Sequence, residues 1–200
     1  MLKSCLQKDR LEAGCDEAGR GCLAGPVFAA AVILPPDYVH SELNDSKQLS
    51  ASKREKLRAD VEKDALAWAV ARINAPEIDA INILAASIKA MNMAVEQLAL
   101  RPDFLLIDGN RFRTESGIPF QCVVKGDATF LSIAAASILA KTYRDEYMCV
   151  LDREFPAYHW AKNKGYPTKD HREAIRNNGI TPYHRKSFTL LPVQMSLPFL

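Results

Sequence analysis

Two adjacent carboxylates, Asp16 and Glu17, follow an apolar segment and are followed by a Gly-Arg-Gly turn at 19–21. Acidic side chains at the end of a buried strand are costly unless a positive charge lies against them. A divalent cation such as Mg²⁺, which prefers oxygen ligands, supplies that charge. The bare backbone N–H groups and the guanidinium of the turn suit a phosphate. These residue types together indicate phosphodiester chemistry.

The geometry of this stretch sets a condition. Neighbouring side chains of a strand point to opposite faces, so Asp16 and Glu17 share one site only if the strand ends or bends there. Gly19 and Gly21 permit such a bend. The alternative is a solvated Asp-Glu pair in a surface turn, and this stretch alone does not separate the two interpretations.

The apolar pattern predicts the elements that position these residues. Strands are predicted at 11–16, 27–34, 66–73, 104–107 and 120–124. Helices are predicted at 50–62, 78–98, 129–154 and from the N-cap Thr168 to Asn178–Gly179. The first helix carries Ser52 and Glu55 at capping-box spacing.

This order of elements predicts an α/β layer architecture with an antiparallel start and a parallel continuation. The run at 104–107 is short and continuously apolar, as in a buried parallel strand, and it delivers Asp108 at its end. Ligands gather at the carboxyl ends of parallel strands. We therefore expect Asp16 and Asp108 at the same edge, on adjacent strands.

Composition narrows the possible classes. The 200 residues suit one domain with a sizeable core, and no apolar run is long enough to span a bilayer. The N-terminus lacks the pattern of a signal peptide. The five cysteines are odd in number and widely spaced, which predicts reduced thiols in the cytoplasm and disfavours a disulfide framework or zinc site. Nothing in the sequence requires more than a monomer.

The distribution of charge says more than the net charge of +2. Between 155 and 188 lie seven Lys or Arg residues, against two acids, with aromatic residues interleaved. Such a segment can follow a phosphate backbone and stack on sugars or bases. The alternative is a solvated, charge-rich surface. A carboxylate metal site in the same protein favours the nucleic-acid interpretation over the solvated surface.

Several motif blocks, taken in order, resemble those of the ribonuclease HII family, the type 2 ribonucleases H. They occupy residues 16–21, 23–27, 44–47, 106–109, 125–127, 132–141, 165–168 and 184–188. Each block alone is weak evidence, whereas the full ordered set is specific. The resemblance covers roughly residues 11–188.

The resemblance implies a fold and an activity. The fold is the ribonuclease H-like fold, a mixed five-stranded sheet flanked by helices. A catalytic domain at 1–188 would include the basic C-terminal helical part, with a tail at 189–200. The activity is that of a metal-dependent endonuclease that cuts the RNA strand of RNA–DNA hybrids. It should also cut 5′ of single ribonucleotides embedded in duplex DNA, leaving a 5′-phosphate.

The resemblance also implies a ligand set. It makes Asp127 a fourth carboxylate beside Asp16, Glu17 and Asp108, with Mg²⁺ or Mn²⁺ as cofactor and two ions during catalysis. Without metal, such carboxylates raise one another's pKa values, and two ions can clamp an in-line displacement. The alternative for Asp127 is a helix N-terminal acid favoured by the helix dipole. Asp145, in mid-helix, suits a salt bridge better than direct ligation.

The remaining implied contacts concern the substrate. The 19–21 turn resembles the family's loop that grips the scissile ribonucleotide, and Tyr166 the tyrosine that packs beneath the neighbouring deoxyribose. A half-buried core tyrosine is the alternative for Tyr166. Lys47 could reach a phosphate or be a surface lysine. His171 and His184 lack metal-ligand spacing, so we expect capping or surface roles for both.

Two rival functions and one partner complete the predictions. A nuclease of the same fold acting on DNA alone is disfavoured by the 19–21 turn and Tyr166, and a non-catalytic hybrid-binding module by the intact carboxylates. Residues 194–200 resemble the short peptides by which bacterial proteins bind the sliding clamp. The alternative, which the chance occurrence of short motifs favours, is a tail that covers part of the enzyme's own core.

Overall fold

A computed structural model describes residues 2–43 and 50–191. Its strands are β1 (Glu12–Ala18), β2 (Val27–Ile33), β3 (Ala67–Ile73), β4 (Phe104–Asp108) and β5 (Phe120–Val123). Its α-helices are α1 (Ala51–Asp64), α2 (Ala75–Ile81), α3 (Ile83–Glu96), α4 (Leu131–Glu154), α5 (Trp160–Asn163) and α6 (Lys169–Asn178). Short 3₁₀ turns lie at Gly126–Ala128 and Pro156–Tyr158.

The strands form one mixed sheet in the order β3-β2-β1-β4-β5. The pairs β1–β2 and β2–β3 are antiparallel, whereas β1–β4 and β4–β5 are parallel. The predicted five-stranded sheet, with an antiparallel start and a parallel continuation, is confirmed. Because β1 and β4 run in the same direction, their carboxyl ends meet at one edge, and Asp16 and Asp108 lie there.

Helices cover both faces of the sheet. Helix α3 packs its apolar stripe on one face, together with residues such as Ala29 and Leu105. Helices α1 and α4 cover the other face, where Ala30 and Val32 of β2 meet the fully buried alanines at 134–136. Small side chains at these positions let α4 lie close to the sheet, as their pattern predicts. Burial on both faces explains why β2 is a continuous apolar run.

The single long helix predicted at 78–98 is wrong. The helix is interrupted at Asn82, whose φ of 66° lies in the left-handed region. The helix axis bends there by 118° between α2 and α3. The Asn82 side chain accepts the backbone N–H groups of Leu84 and Ala85, which caps the new helix. No single helix among the described residues is long and apolar enough to cross a membrane. Helices α2 and α3 have that length and apolar composition only when they are counted together across this bend.

The start of α1 also differs from the prediction. The N-cap is Ser50, whose hydroxyl accepts the Lys53 N–H, and the residues predicted as a capping box lie inside the helix. Thr168 caps α6 as predicted by accepting the His171 N–H, and Gly179 follows its last residue. Residues 194–200 and Lys47, with the predictions made for them, lie outside the described residues.

Candidate active site

Most of the sequence-predicted site residues surround one cavity at the carboxyl edge of β1 and β4. This cavity has a volume of about 270 Å³. Its lining is Asp16, Glu17, Ala18, Gly19, Arg20, Gly21, Asp108, Ser137, Lys141 and Tyr166. A second cavity of about 250 Å³ adjoins it, sharing Glu17, Arg20 and Asp108, and extends along α3 toward Asn110 and Arg111. Glu17 and Asp108 therefore lie between two compartments of one cleft.

The expected end or bend of β1 at Asp16 and Glu17 is wrong in its detail. The antiparallel ladder with β2 continues through both residues to Ala18. It is the parallel pairing with β4 that stops, at Cys15 and Ile107. Both carboxylates therefore lie beyond Cys15, the last β1 residue that pairs with β4. Strand alternation is preserved, and of the two only Glu17 lines the compartment beside α3.

The carboxylates repel one another. Burial, followed by the charges of Glu17 and Asp108, raises the pKa of Asp16 well above its usual value. Hydrogen bonds from the Ser137 side chain and the Glu17 N–H act in the opposite direction. Asp16 is only 4% exposed, so water screens this repulsion poorly. The site consequently has a deficit of positive charge.

These residues fit a hard divalent cation by the chemistry of their donors. One oxygen of each carboxylate is held by the protein: Asp16 Oδ1 by the Glu17 N–H at 2.7 Å, Asp108 Oδ1 by the Gly126 N–H at 2.7 Å, and Glu17 Oε1 by Arg20 Nη1 at 3.1 Å. No three His, Cys, Asp or Glu side chains within 2–43 and 50–191 converge as a ready-made metal-binding group. The carboxylates nevertheless offer the oxygen donors and the negative charge that Mg²⁺ or Mn²⁺ requires, because Asp16, Glu17 and Asp108 line one cavity.

The predicted fourth carboxylate lies outside this cavity. Asp127 belongs to the 3₁₀ turn that follows β5 and is 5% exposed. The same turn supplies the Gly126 N–H to Asp108, so it supports the site through the backbone. Asp145 forms the predicted salt bridges, to Lys141 at 2.7 Å and to Arg54 at 3.7 Å.

The 19–21 turn is built around an unusual backbone. Gly19 has a φ of 95°, and a Cβ there would lie 2.0 Å from Nε of the buried Arg144, so no other residue fits. A Cβ on Gly21, by contrast, would meet nothing within 4 Å, which leaves room for a ligand to approach the backbone. Arg20 is exposed and forms a salt bridge with Glu17, which ties the turn to the carboxylates.

Tyr166 also lines the cavity and is 39% exposed. Its ring faces two cations, with Lys141 Nζ at 5.6 Å and the Arg144 guanidinium at 5.9 Å from the ring centroid. Its hydroxyl is hydrogen-bonded to the Cys22 thiol, and burial, followed by Cys22, raises the tyrosine pKa. Tyr166 is thus held by protein contacts, and its exposed part is available to a ligand.

The sequence analysis did not single out three residues of α4 that face this site. Ser137 and Lys141 line the cavity, and Arg144 lies beneath Gly19. Their spacing of four and three residues places them on one helical face, which is the signal that could have identified them.

A surface role for the two histidines is wrong, although the Nδ1 atom of each binds a nearby backbone group, of Tyr166 and Thr181 respectively. His171 and His184 are 0% and 1% exposed, and their Nε2 atoms lie 3.3 Å apart in an aromatic cluster with Trp160 and Tyr158. Burial lowers the pKa of both, and that of His184 falls to about 4 through burial and the neighbouring His171. The basic C-terminal segment therefore has a core of its own, and its charges lie around that core.

All five cysteines are free, with Cys15 and Cys22 buried.

Arg185 is also fully buried, and burial lowers its pKa to about 10, so it remains cationic at neutral pH. It donates to the carbonyls of Arg20 and Gly25. The backbone of the 19–26 segment is thus held from below.

Solved structures share this fold. The ribonuclease H2 of Pyrococcus horikoshii OT3 matches with a TM-score of 0.76 and 23% identity, covering 90% of this chain and 94% of its own. The ribonuclease HII in the PCNA complex from Archaeoglobus fulgidus matches with a TM-score of 0.74 and 24% identity, covering 92% and 98%. Bst-RNase HIII in complex with Mn²⁺ matches with a TM-score of 0.72 and 21% identity, covering 94% and 71%. The ribonuclease H-like fold is confirmed.

Sequence comparison identifies the family. A ribonuclease HII of Parabacteroides distasonis is 66% identical over 199 residues, which cover 100% of both chains. The family model described as ribonuclease HII matches residues 13–191. This chain therefore belongs to the ribonuclease HII family, the divalent-metal-dependent ribonuclease H endonucleases that act on RNA–DNA hybrids.

Proposed function

We propose that this enzyme cuts 5′ of a single ribonucleotide embedded in duplex DNA, as well as within the RNA strand of hybrids, and leaves a 5′-phosphate. The observation that carries the proposal is the shared cavity: the 19–21 turn, Tyr166 and the carboxylates Asp16, Glu17 and Asp108 all line it. A ribonucleotide in the turn and a deoxyribose on the tyrosine would bring their linkage to the carboxylates.

The proposed metal site consists of Asp16, Glu17 and Asp108, with Asp127 as a fourth carboxylate. Mg²⁺ or Mn²⁺ would supply Lewis-acid stabilisation of the reacting phosphate and an activated water, with two ions during catalysis. The raised pKa of Asp16 supports this assignment, because burial and the charges of Glu17 and Asp108 disfavour its ionised form, and a bound cation would offset both effects.

The protein's own groups divide the remaining work. Arg20, paired with Glu17, can exchange that carboxylate for a substrate phosphate, which frees Glu17 for the metal. Lys141 lines the same cavity and adds a positive charge for the phosphate backbone. Lys47 is proposed as a further phosphate contact on the basis of its sequence alone.

Sugar discrimination would be divided between the turn and the tyrosine. Backbone groups near the open side of Gly21 can approach a ribose 2′-OH, the group by which proteins distinguish RNA from DNA. The exposed face of Tyr166 would accept a 2′-hydrogen and exclude a 2′-hydroxyl. Only an RNA–DNA junction satisfies both contacts.

The test is cleavage of duplex DNA with one ribonucleotide, beside an all-DNA duplex and a long hybrid, with Mg²⁺ or Mn²⁺. We expect cleavage 5′ of the ribonucleotide with a 5′-phosphate product and no cut in all-DNA. Tyr166→Ala should lose more activity on the single ribonucleotide than on the hybrid, whereas Tyr166→Phe, which keeps the ring, should retain the preference. Cleavage of all-DNA would favour the DNA-only nuclease, and equal losses in Tyr166→Ala would remove the junction-reading role.

A second proposal concerns partners. Residues 194–200 suit a sliding clamp, since Gln194 offers an amide, Leu197 and Phe199 offer apolar anchors, and Pro198 pre-sets an extended backbone. The complex of the Archaeoglobus fulgidus relative with PCNA supports this idea by analogy. Deletion of 194–200 should abolish clamp binding and leave catalysis and melting temperature unchanged. A truncated enzyme that melts much earlier would instead favour a tail that covers its own core.

We also propose that the enzyme works as a cytoplasmic monomer. Its five free cysteines are typical of a reducing compartment. Light scattering of the purified chain at micromolar concentration tests the monomer, and a stable dimer would contradict it.

A further inference from the structure

Arg144 of α4 is a fully buried cation that forms no salt bridge with any residue in the described part of the chain. Its guanidinium donates to three backbone carbonyls instead: Nε to Pro26 at 3.0 Å, Nη2 to Ala24 at 3.2 Å and Nη1 to Lys164 at 2.9 Å. A buried charge without a counter-charge is costly. The role of Arg144 is therefore indicated by the backbone segments that it holds in place.

The carbonyls that Arg144 holds belong to the two segments that form the proposed substrate contacts. Ala24 and Pro26 end the segment that begins with the 19–21 turn, and Lys164 lies two residues before Tyr166. The segments also meet directly, since the Leu23 N–H donates to the Gly165 carbonyl at 2.8 Å. One guanidinium thus joins both walls of the cavity.

The contact between the two segments leaves no slack. Gly165 has a φ of 80°, and a Cβ there would lie 2.4 Å from the Ala24 carbonyl oxygen. On the other side, Gly19 lies directly on the Arg144 side chain. Any change in the position of the guanidinium therefore shifts the 19–21 turn relative to Tyr166.

Arg185 holds the same turn from a second direction. Its Nη1 donates to the Arg20 carbonyl at 2.9 Å, and its Nε and Nη2 donate to the Gly25 carbonyl at 3.0 and 2.8 Å. Carbonyl oxygens repel a phosphate, and here those of the segment are bound by buried cations. Arg185 contacts the first segment alone, whereas Arg144 spans both, which singles out Arg144 as the link.

We propose that Arg144 is a positioning residue that fixes the spacing between the 19–21 turn and Tyr166, and thereby sets the preference for a single embedded ribonucleotide over a long hybrid. The inference rests on the proposed function. A junction must satisfy the turn and the tyrosine at once, so it depends on their spacing. A long hybrid presents a 2′-hydroxyl at every RNA sugar and depends on the turn alone.

The test compares kcat/KM on the single ribonucleotide with kcat/KM on a long hybrid. Arg144→Lys keeps the positive charge but cannot span three carbonyls. Gly165→Ala disturbs the same contact from the other side without changing any charge. In both variants we expect the ratio to fall by about tenfold or more, because misplacement of about 1 Å can cost on that scale. The loss should appear in kcat and should be larger on the junction than on the hybrid, which needs the turn but not its spacing from Tyr166.

Arg58→Lys provides the matched control. Arg58 also bridges two elements, binding Glu62 of α1 and Glu146 of α4 and stacking on Tyr143 at 3.8 Å, but it lies away from the cavity. The Arg58→Lys variant should lower the melting temperature and leave unchanged the ratio of kcat/KM on the single ribonucleotide to kcat/KM on the long hybrid.

The outcomes separate the inference from the function on which it rests. An unchanged ratio in both Arg144→Lys and Gly165→Ala would overturn the inference alone, as would an equal fall in Arg58→Lys. A wild-type enzyme that does not cut a single embedded ribonucleotide would overturn the proposed function and the inference with it.

Discussion

His171 Nε2 lies 3.3 Å from His184 Nε2, and the surrounding contacts fix the proton positions on both rings. His184 Nδ1 accepts the Thr181 N–H at 2.9 Å, so its Nε2 carries the proton and donates to His171. His171 Nε2 has one lone pair, which it shares between this N–H and the nearer indole N–H of Trp160 at 3.0 Å, and its Nδ1 donates to the Tyr166 carbonyl at 2.9 Å. The result is a neutral, buried relay that ends on the backbone of the cavity wall.

This relay predicts a difference between two substitutions of His171. In His171→Asn the amide nitrogen can reach the position of Nδ1 and keep the bond to Tyr166, whereas His171→Leu leaves the buried carbonyl and indole N–H without that partner. We expect His171→Leu to cost about 1–3 kcal/mol more in stability. It should also lose more activity on a single ribonucleotide. Chemical unfolding and paired cleavage assays measure both, and equal behaviour of the two variants would contradict the relay.

The buried histidines also predict how stability depends on pH. The unfolded chain protonates His184 near pH 6.5, whereas the folded pKa is lowered to about 4 by burial and by His171. The unfolded state therefore binds more protons in that interval, and stability falls as the pH drops from about 6.5 to 4. Melting temperatures across this range should decline in wild type and decline less in His184→Asn. Parallel curves would show that other groups control the effect.

Removal of one carboxylate should separate stability from activity. Asp108→Asn removes a charge that raises the pKa of Asp16, while its amide oxygen can still accept the Gly126 N–H. We expect a metal-free melting temperature about 2–4 °C higher, corresponding to about 1 kcal/mol. Cleavage should be lost while hybrid binding persists. Near-normal turnover would contradict the role of Asp108.

Divalent cations should stabilise the protein through the same carboxylates. Mg²⁺ or Mn²⁺ added to metal-free enzyme should raise the melting temperature by mass action, and Asp16→Asn should reduce this rise. Glu12→Gln is the matched control, because Glu12 is a buried carboxylate on the same strand that binds the N–H groups of Leu6 and Gln7 instead. An undiminished rise in Asp16→Asn would exclude it as a ligand.

The sheet and the meeting of Asp16 with Asp108 were predictable because they depend on local patterns and on the direction of parallel strands. The break at Asn82 was not, since the apolar stripe continues at helical spacing through Ile81 and Leu84 although the backbone turns there. A single left-handed residue with a capping side chain changes the axis and leaves the periodicity intact.

The buried polar groups were the harder part of the site. Arginine usually faces solvent, so pattern alone places Arg144 and Arg185 at the surface, and histidine is intermediate, so pattern alone does not place His171 in a core. Their burial depends on partners far along the chain, such as the Gly25 carbonyl, which is 160 residues before Arg185. Only the tertiary structure brings those partners together.

Strand β1 lies between β2, which follows it closely in the sequence, and β4, which follows it about 90 residues later. Its hairpin partner β2 and the next strand β3 are complete by residue 73, whereas β4 ends at 108 and α4 at 154. Contacts between nearby segments form before those between remote ones. During synthesis, the emerging chain therefore carries Asp16 and Glu17 on an incomplete sheet, before Asp108 of β4 and Lys141 of α4 are in place beside them. We expect nuclease activity to appear only late in translation, once β4 and α4 have been synthesised.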